Sequence, residues 1–151
     1  MNSNQESLNP NELLNQYLSN LKVLNNNLYN MHWNLIGTNF FTIHLKLNEY
    51  YEKAADMYDE VAERIKMIGG FPITSLIEYE QKSTIKSMRS QDYTEKQVMD
   101  VLENDFSFLI NFGYDIIKYF NDINDYTTSG MLSNHMTFFE KQLWMVKASK
   151  K

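Results

Sequence analysis

Cysteine is absent from the 151 residues, which excludes a disulfide framework, Cys-based zinc sites and thiol catalysis. Any metal bound by side chains therefore uses His, Asp or Glu. Proline and glycine are scarce, at two and five residues, so the chain carries few signals that break a helix. No window approaches the roughly 18 uninterrupted apolar residues of a membrane span, and "MNSNQESLNPNE" lacks the basic-then-apolar pattern of an export signal. A soluble, cytoplasmic protein is the expectation. Positive charge is also in deficit. A net charge of -5 opposes nonspecific attraction to a phosphate backbone, which depends on Lys and Arg.

Aromatic residues, in contrast, make up 14% of the chain and supply bulky packing material. The length suits one domain that buries roughly two thirds of the surface its unfolded form exposes. Residues 1–151 are read as a single domain, with 1–8 and 148–151 as flexible tails.

Asn9, Pro10 and Glu12 form a helix start: an Asn cap, Pro in the first turn and an early acid. Leu14, Leu18, Leu21, Leu24, Leu28, Met31 and Leu35 then recur at spacings of three and four, the stripe of an amphipathic helix that ends at Gly37. A second helix is expected from about Phe40 to Ile68, striped by Leu47, Tyr50, Ala54, Met57, Val61 and Ile65 and stopped by Gly69 and Gly70. "FPITSLIEYEQKSTIKS" reads as a loop carrying a short helix at Leu76–Gln81. Thr94 and Gln97 make a capping box for a third long helix. "NDINDYTTSG" is expected to interrupt it before a last helix bearing Leu132, Met136, Phe139, Leu143 and Val146. Four long helices with one long middle connection predict an all-α bundle with a crossover, the ferritin-like arrangement, with a short extra helix in that connection.

His32 and His44 flank the turn between the first two helices about equally, so an antiparallel pair brings them level. Asp59 and Glu63, in "DEVAERI", stand one turn apart on one face of the second helix. At 1.5 Å rise per residue they lie roughly 22 and 28 Å from His44 along the helix, too far for one ion to be shared within a chain. Two copies with antiparallel second helices across a two-fold axis would bring each histidine end to the other's carboxylate end, making two identical sites. The series His44, Asn48, Tyr51, Ala55, Asp59 and Ala62 provides a helix face for such a contact. His and carboxylate ligands without thiolate suit iron, zinc or manganese. Taken separately, His32 also fits a packing role, and Asp59 with Glu63 a solvated acidic face.

The segments "HWNLIGTNFFTIH", "DEVAERI", "IGGFPITSLIEYEQKSTI" and "EKQLWMVKA" together resemble the Dps proteins, or mini-ferritins (DNA-binding proteins from starved cells), in order and spacing over most of the chain. The resemblance implies a hollow dodecamer with a ferroxidase centre at each two-fold interface, and His32, His44, Asp59 and Glu63 fall on its metal-ligand positions. It implies iron as the metal, oxidised from Fe(II) by hydrogen peroxide or O2 and stored as a ferric mineral, which protects DNA from oxidative damage. Trp33 and nearby tyrosines are placed to quench stray oxidising equivalents or to pack the interface. No Glu-x-x-His pair occurs, so the intra-bundle di-iron site of larger ferritins is not available in its usual form.

Two positions depart from the family pattern. Asn48 stands where an Asp often provides a further ligand, and Gly130 replaces an Asp usual at the three-fold pore, leaving Asp122 and Asp125 as candidate pore acids. No Lys or Arg precedes Lys22, so DNA binding is expected to be weak despite Lys147, Lys150 and Lys151 at the C-terminus. His135 is read as structural. The competing functions are a nucleoid-type DNA-binding shell with a vestigial metal site, and a shell used for interaction or adhesion.

Overall fold

The computed structural model describes residues 9–151. The expected tail at 1–8 falls outside them. Helix α1 spans Pro10–Asn34 and starts as its sequence predicts, with the Asn9 side chain accepting from the Glu12 amide at 2.9 Å. α2 (Phe40–Met67) runs back along it, ending at Ile68 and the left-handed Gly69. The long connection contains α3 (Leu76–Lys82), and α4 (Glu95–Asp122) opens on the Thr94–Gln97 capping box. α5 (Tyr126–Ser149) completes the four-helix bundle, with α3 lying in the crossover.

The leucine stripe of α1 becomes the core. Leu14, Leu18, Leu21, Leu24, Leu28 and Met31 are almost wholly buried against Leu47, Val61 and Ile65 of α2 and Leu102, Phe106, Leu109 and Phe139 of α4 and α5. Burial of each such side chain contributes about 1.5–3 kcal/mol before the entropy of ordering is subtracted. That apolar contribution rests on helix periodicity alone.

The crossover is held by a different device. Asn11, Asn15, Asn20, Asn27 and Asn30 project from α1 and pair with crossover backbone. Asn20 is the most heavily used: its Oδ1 accepts from the amides of Thr84 and Ile85 at 2.9 and 3.0 Å and from the Thr84 hydroxyl at 3.1 Å. Asn27 both donates to the Lys86 carbonyl and accepts from the Met88 amide, each at 2.9 Å. An irregular segment lying on a bundle needs such partners, because its peptide groups lack a helix ladder. The crossover ends in β2 (Tyr93–Thr94), paired in parallel with β1 (Leu35–Ile36), so Leu35 meets Tyr93 beside the α1–α2 turn.

Two expected boundaries change. The interruption expected over residues 121–130 shrinks to Ile123–Asp125, because Asn124 turns the chain at a left-handed φ of 63° and the Asp125 side chain caps α5 by accepting from the Thr128 amide at 3.0 Å. That cap starts a helix through Thr127, Thr128, Ser129 and Gly130 despite their modest propensities. At the other end, α5 continues through Ser149, and Lys150 contacts Asp100 and Glu103, each at 2.6 Å.

Candidate metal centre

The α1–α2 turn sets the position of both histidines. Gly37 adopts φ 136°, a conformation that L side chains rarely adopt, and an added Cβ would lie 2.8 Å from the Glu95 carboxylate. Glu95 fills the space that glycine leaves and accepts from the Asn39 amide at 2.6 Å and its side-chain amide at 3.0 Å, tying the start of α2 to α4. The helices on either side are thereby held in register.

His32 and His44 are level, as expected, and more closely associated than sequence spacing alone requires. Their rings stack with centroids 3.6 Å apart and 9° between planes. His32 Nδ1 donates to the His44 carbonyl at 2.7 Å, and His44 Nδ1 donates to the His32 carbonyl at 2.8 Å. A carbonyl can only accept, so each Nδ1 carries a hydrogen, and Nε2 is the atom through which each ring in its neutral form can offer a lone pair. This is how a backbone carbonyl orients a metal-binding imidazole through its other nitrogen. Burial pulls the His32 pKa below its ordinary value, outweighing the hydrogen bond to His44 that opposes the shift. The ring is thus kept neutral and available as a ligand.

Aromatic rings surround the pair. Phe40 stacks on His44, Tyr51 meets His32 edge-on, and Tyr29 lies between Tyr51 and Trp33. Trp33, although part of this cluster, is 68% exposed. Asn48 is engaged by the Tyr51 hydroxyl, which donates to its Oδ1.

Asp59 and Glu63 stand exposed on α2, one turn apart and well removed from the histidine end. Among the described residues, no group of three or more His, Asp or Glu side chains of one chain could hold a metal ion. The two histidines lie together near the start of α2 and the two carboxylates lie toward its other end, and a single chain does not bring the two pairs together. Large apolar side chains are exposed on the isolated chain, including Phe41 at 81% and Leu45 at 65%, as expected of surfaces that join copies.

The candidate pore acids have local partners. Asp125 caps α5 and pairs with Arg64 at 3.0 Å, and its carboxyl lies below the usual carboxylate range because Thr128 and Arg64 favour its charged form against burial. Asp122 pairs with Lys118 at 3.1 Å. A Cβ at Gly130 would meet nothing within 4 Å, so close packing at that atom does not demand glycine there.

Sequence reading missed a polar chain inside the bundle. His135 has no carboxylate near it in sequence, yet its Nε2 lies 2.9 Å from Glu60 Oε1 of α2, and its Nδ1 lies 3.0 Å from the Tyr17 hydroxyl of α1. It also missed Asp105, whose carboxyl is pushed up to about 6 by burial. The isolated acid on a helical stripe was the available signal.

This fold defines the class: residues 11–149 match the ferritin-like domain. More narrowly, the chain belongs to the Dps family. It is 36% identical over 140 residues to the DNA protection during starvation protein of Brevibacillus brevis, covering 90% of this chain and 91% of that one. The crystal structure of Dps from Staphylococcus aureus superimposes with a TM-score of 0.90 at 31% identity, covering 93% of this chain and 94% of that chain. Dps from Listeria monocytogenes gives a TM-score of 0.91 at 30% identity, covering 95% and 94%.

Proposed function

We propose that this protein oxidises and stores iron in a hollow dodecamer, with a ferroxidase centre at each two-fold interface. His32 and His44 come from one subunit, and Asp59 and Glu63 from its partner. The observation that carries the reading is the reciprocal Nδ1–carbonyl pairing of the two histidines, which leaves both Nε2 atoms free as ligands. Family membership and the split of the ligand set between the ends of α2 support it.

Fe(II) is the substrate. Imidazole nitrogens suit the ferrous ion, and the hard carboxylate oxygens favour the ferric product. With hydrogen peroxide the reaction balances as two Fe(II) and one H2O2 giving two Fe(III) and two hydroxide ions. DNA is protected because iron and peroxide are consumed away from it. Asn48 supplies a neutral amide oxygen already engaged by Tyr51, so the centre holds one iron firmly and a second weakly.

The test is the Asp59→Ala/Glu63→Ala double variant, followed by ferric absorbance after anaerobic Fe(II) loading and addition of peroxide or air. The reading requires an assembled shell that has lost rapid oxidation. Oxidation at the normal rate by that variant would show that these carboxylates are not ligands.

A further inference from the structure

Tyr17, His135 and Glu60 form a directed hydrogen-bond chain through the bundle. The Glu60 carboxylate only accepts, so His135 Nε2 carries a hydrogen, its Nδ1 is an acceptor, and the Tyr17 hydroxyl donates to it. Tyr17 is wholly buried and His135 nearly so, while the Glu60 side chain is 56% exposed. The chain therefore runs from a sealed phenol to a carboxylate at the surface of α2. Glu60 directly follows Asp59. Tyr17 precedes His32 by as many residues as Asp59 follows His44, so on the antiparallel helices it is level with the carboxylate end of α2.

A proton relay needs an outlet at both ends, and Tyr17 has none. Burial, and secondarily the charge of Glu60, raise the phenol's pKa far above its ordinary value, so it does not ionise in the resting protein. Removing an electron changes this, because an oxidised phenol is a strong acid and gives up its proton at once to a base already in contact. His135 is that base: burial lowers its pKa and keeps it neutral, while Glu60 stands ready to pair with the imidazolium.

We propose that Tyr17 is a redox-active tyrosine that supplies a second electron to peroxide when a single Fe(II) has supplied the first, passing its proton to His135. This rests on the ferroxidase reading, and on Asn48 leaving the second iron position weak. One Fe(II) and H2O2 give Fe(III), hydroxide and a hydroxyl radical. The radical takes an electron from Tyr17 and becomes hydroxide, while the phenolic proton moves to His135 Nδ1, leaving a neutral tyrosyl radical beside an imidazolium. A second Fe(II) then reduces Tyr17 and becomes Fe(III), and the proton returns from His135. The sum is two Fe(II) oxidised per peroxide, with the hydroxyl radical consumed by Tyr17.

The test has two arms on the assembled protein. In the first, without iron, a photogenerated ruthenium(III) trisbipyridine oxidant is used and the frozen sample is examined by electron paramagnetic resonance. A tyrosyl signal is expected whose amplitude falls at least five-fold in Tyr17→Phe and in His135→Leu. In wild-type protein grown with 15N-histidine, it should carry a nitrogen coupling, a readout that does not depend on any variant folding. In the second arm, limiting Fe(II) and peroxide should give the same signal transiently, with several-fold more spin-trapped hydroxyl radical per iron oxidised in Tyr17→Phe. A tyrosyl signal of equal size in Tyr17→Phe, or one lacking the nitrogen coupling, overturns the assignment of Tyr17. A coupled signal in the first arm with none in the second, while ferric absorbance rises normally, overturns its role as the second donor. Absence of ferric absorbance in wild type overturns the ferroxidase reading and that donor role together, leaving the iron-free arm to decide whether Tyr17 is redox-active.

Discussion

His32 and His44 hold each other: each imidazole donates to the other's backbone carbonyl, and the rings stack 3.6 Å apart. Replacing one ring removes a ligand and the stacking partner of its neighbour, while the backbone carbonyl that accepts from the neighbour's Nδ1 stays in place. Both rings serve one proposed iron site, and residues that act as one unit lose their function together. His32→Ala and His44→Ala should each slow Fe(II) oxidation about 10- to 100-fold, and the double variant should be little slower than either single. Initial rates of ferric absorbance measure this. Multiplying losses would show that the rings act separately.

Asp105 gives a prediction with a defined pH window. Burial raises its carboxyl to about 6 in the folded chain, from an ordinary value of 3.8. The folded state therefore favours the protonated form: that contribution is fully present below about pH 4 and is lost as pH rises through 6. Asp105→Asn should accordingly stabilise the protein at pH 7 by on the order of 1–3 kcal/mol, and the gain should shrink as pH is lowered from 6 towards 4. Thermal melting at fixed protomer concentration, at pH 7 and pH 5, is the measurement. An equal gain at both values would place the effect outside ionisation.

The terminal lysines bear on DNA. Lys150 is paired with Asp100 and Glu103, so much of its charge is satisfied within the chain, and the overall charge is -5. Few phosphates can be neutralised per subunit. Duplex DNA should show no mobility shift at physiological salt. A shift that persists there and disappears on deletion of Lys150 and Lys151 would reverse this.

The fold was largely legible in the sequence because its determinants are local. The Asn9–Pro10 start, the Thr94–Gln97 box and the three-and-four leucine spacing of α1 each specify structure within a few residues. Asp59 and Glu63 could be placed on one face for the same reason. The part-buried contact between His135 and Glu60 joins residues 75 positions apart, and no local pattern announces it. The asparagines of α1 resemble an ordinary polar face until the crossover is laid across them and its peptide groups need partners. Asp125, read as a candidate pore acid, is also the cap that shortens the α4–α5 break. Apart from the local Asp125 cap, these misses concern polar side chains whose partners come from distant elements.

The central claim, that each site takes its histidines from one subunit and its carboxylates from another, is tested most directly by complementation. A His32→Ala/His44→Ala chain and an Asp59→Ala/Glu63→Ala chain are each expected to be inactive alone. Mixed and reassembled in equal amounts, they form half of their pairs between unlike chains, and each such pair has one site with all four ligands, roughly a quarter of all sites. Rapid Fe(II) oxidation should return to about that fraction of wild type. A mixed shell, verified to contain both chains and yet no faster than either parent, would contradict it.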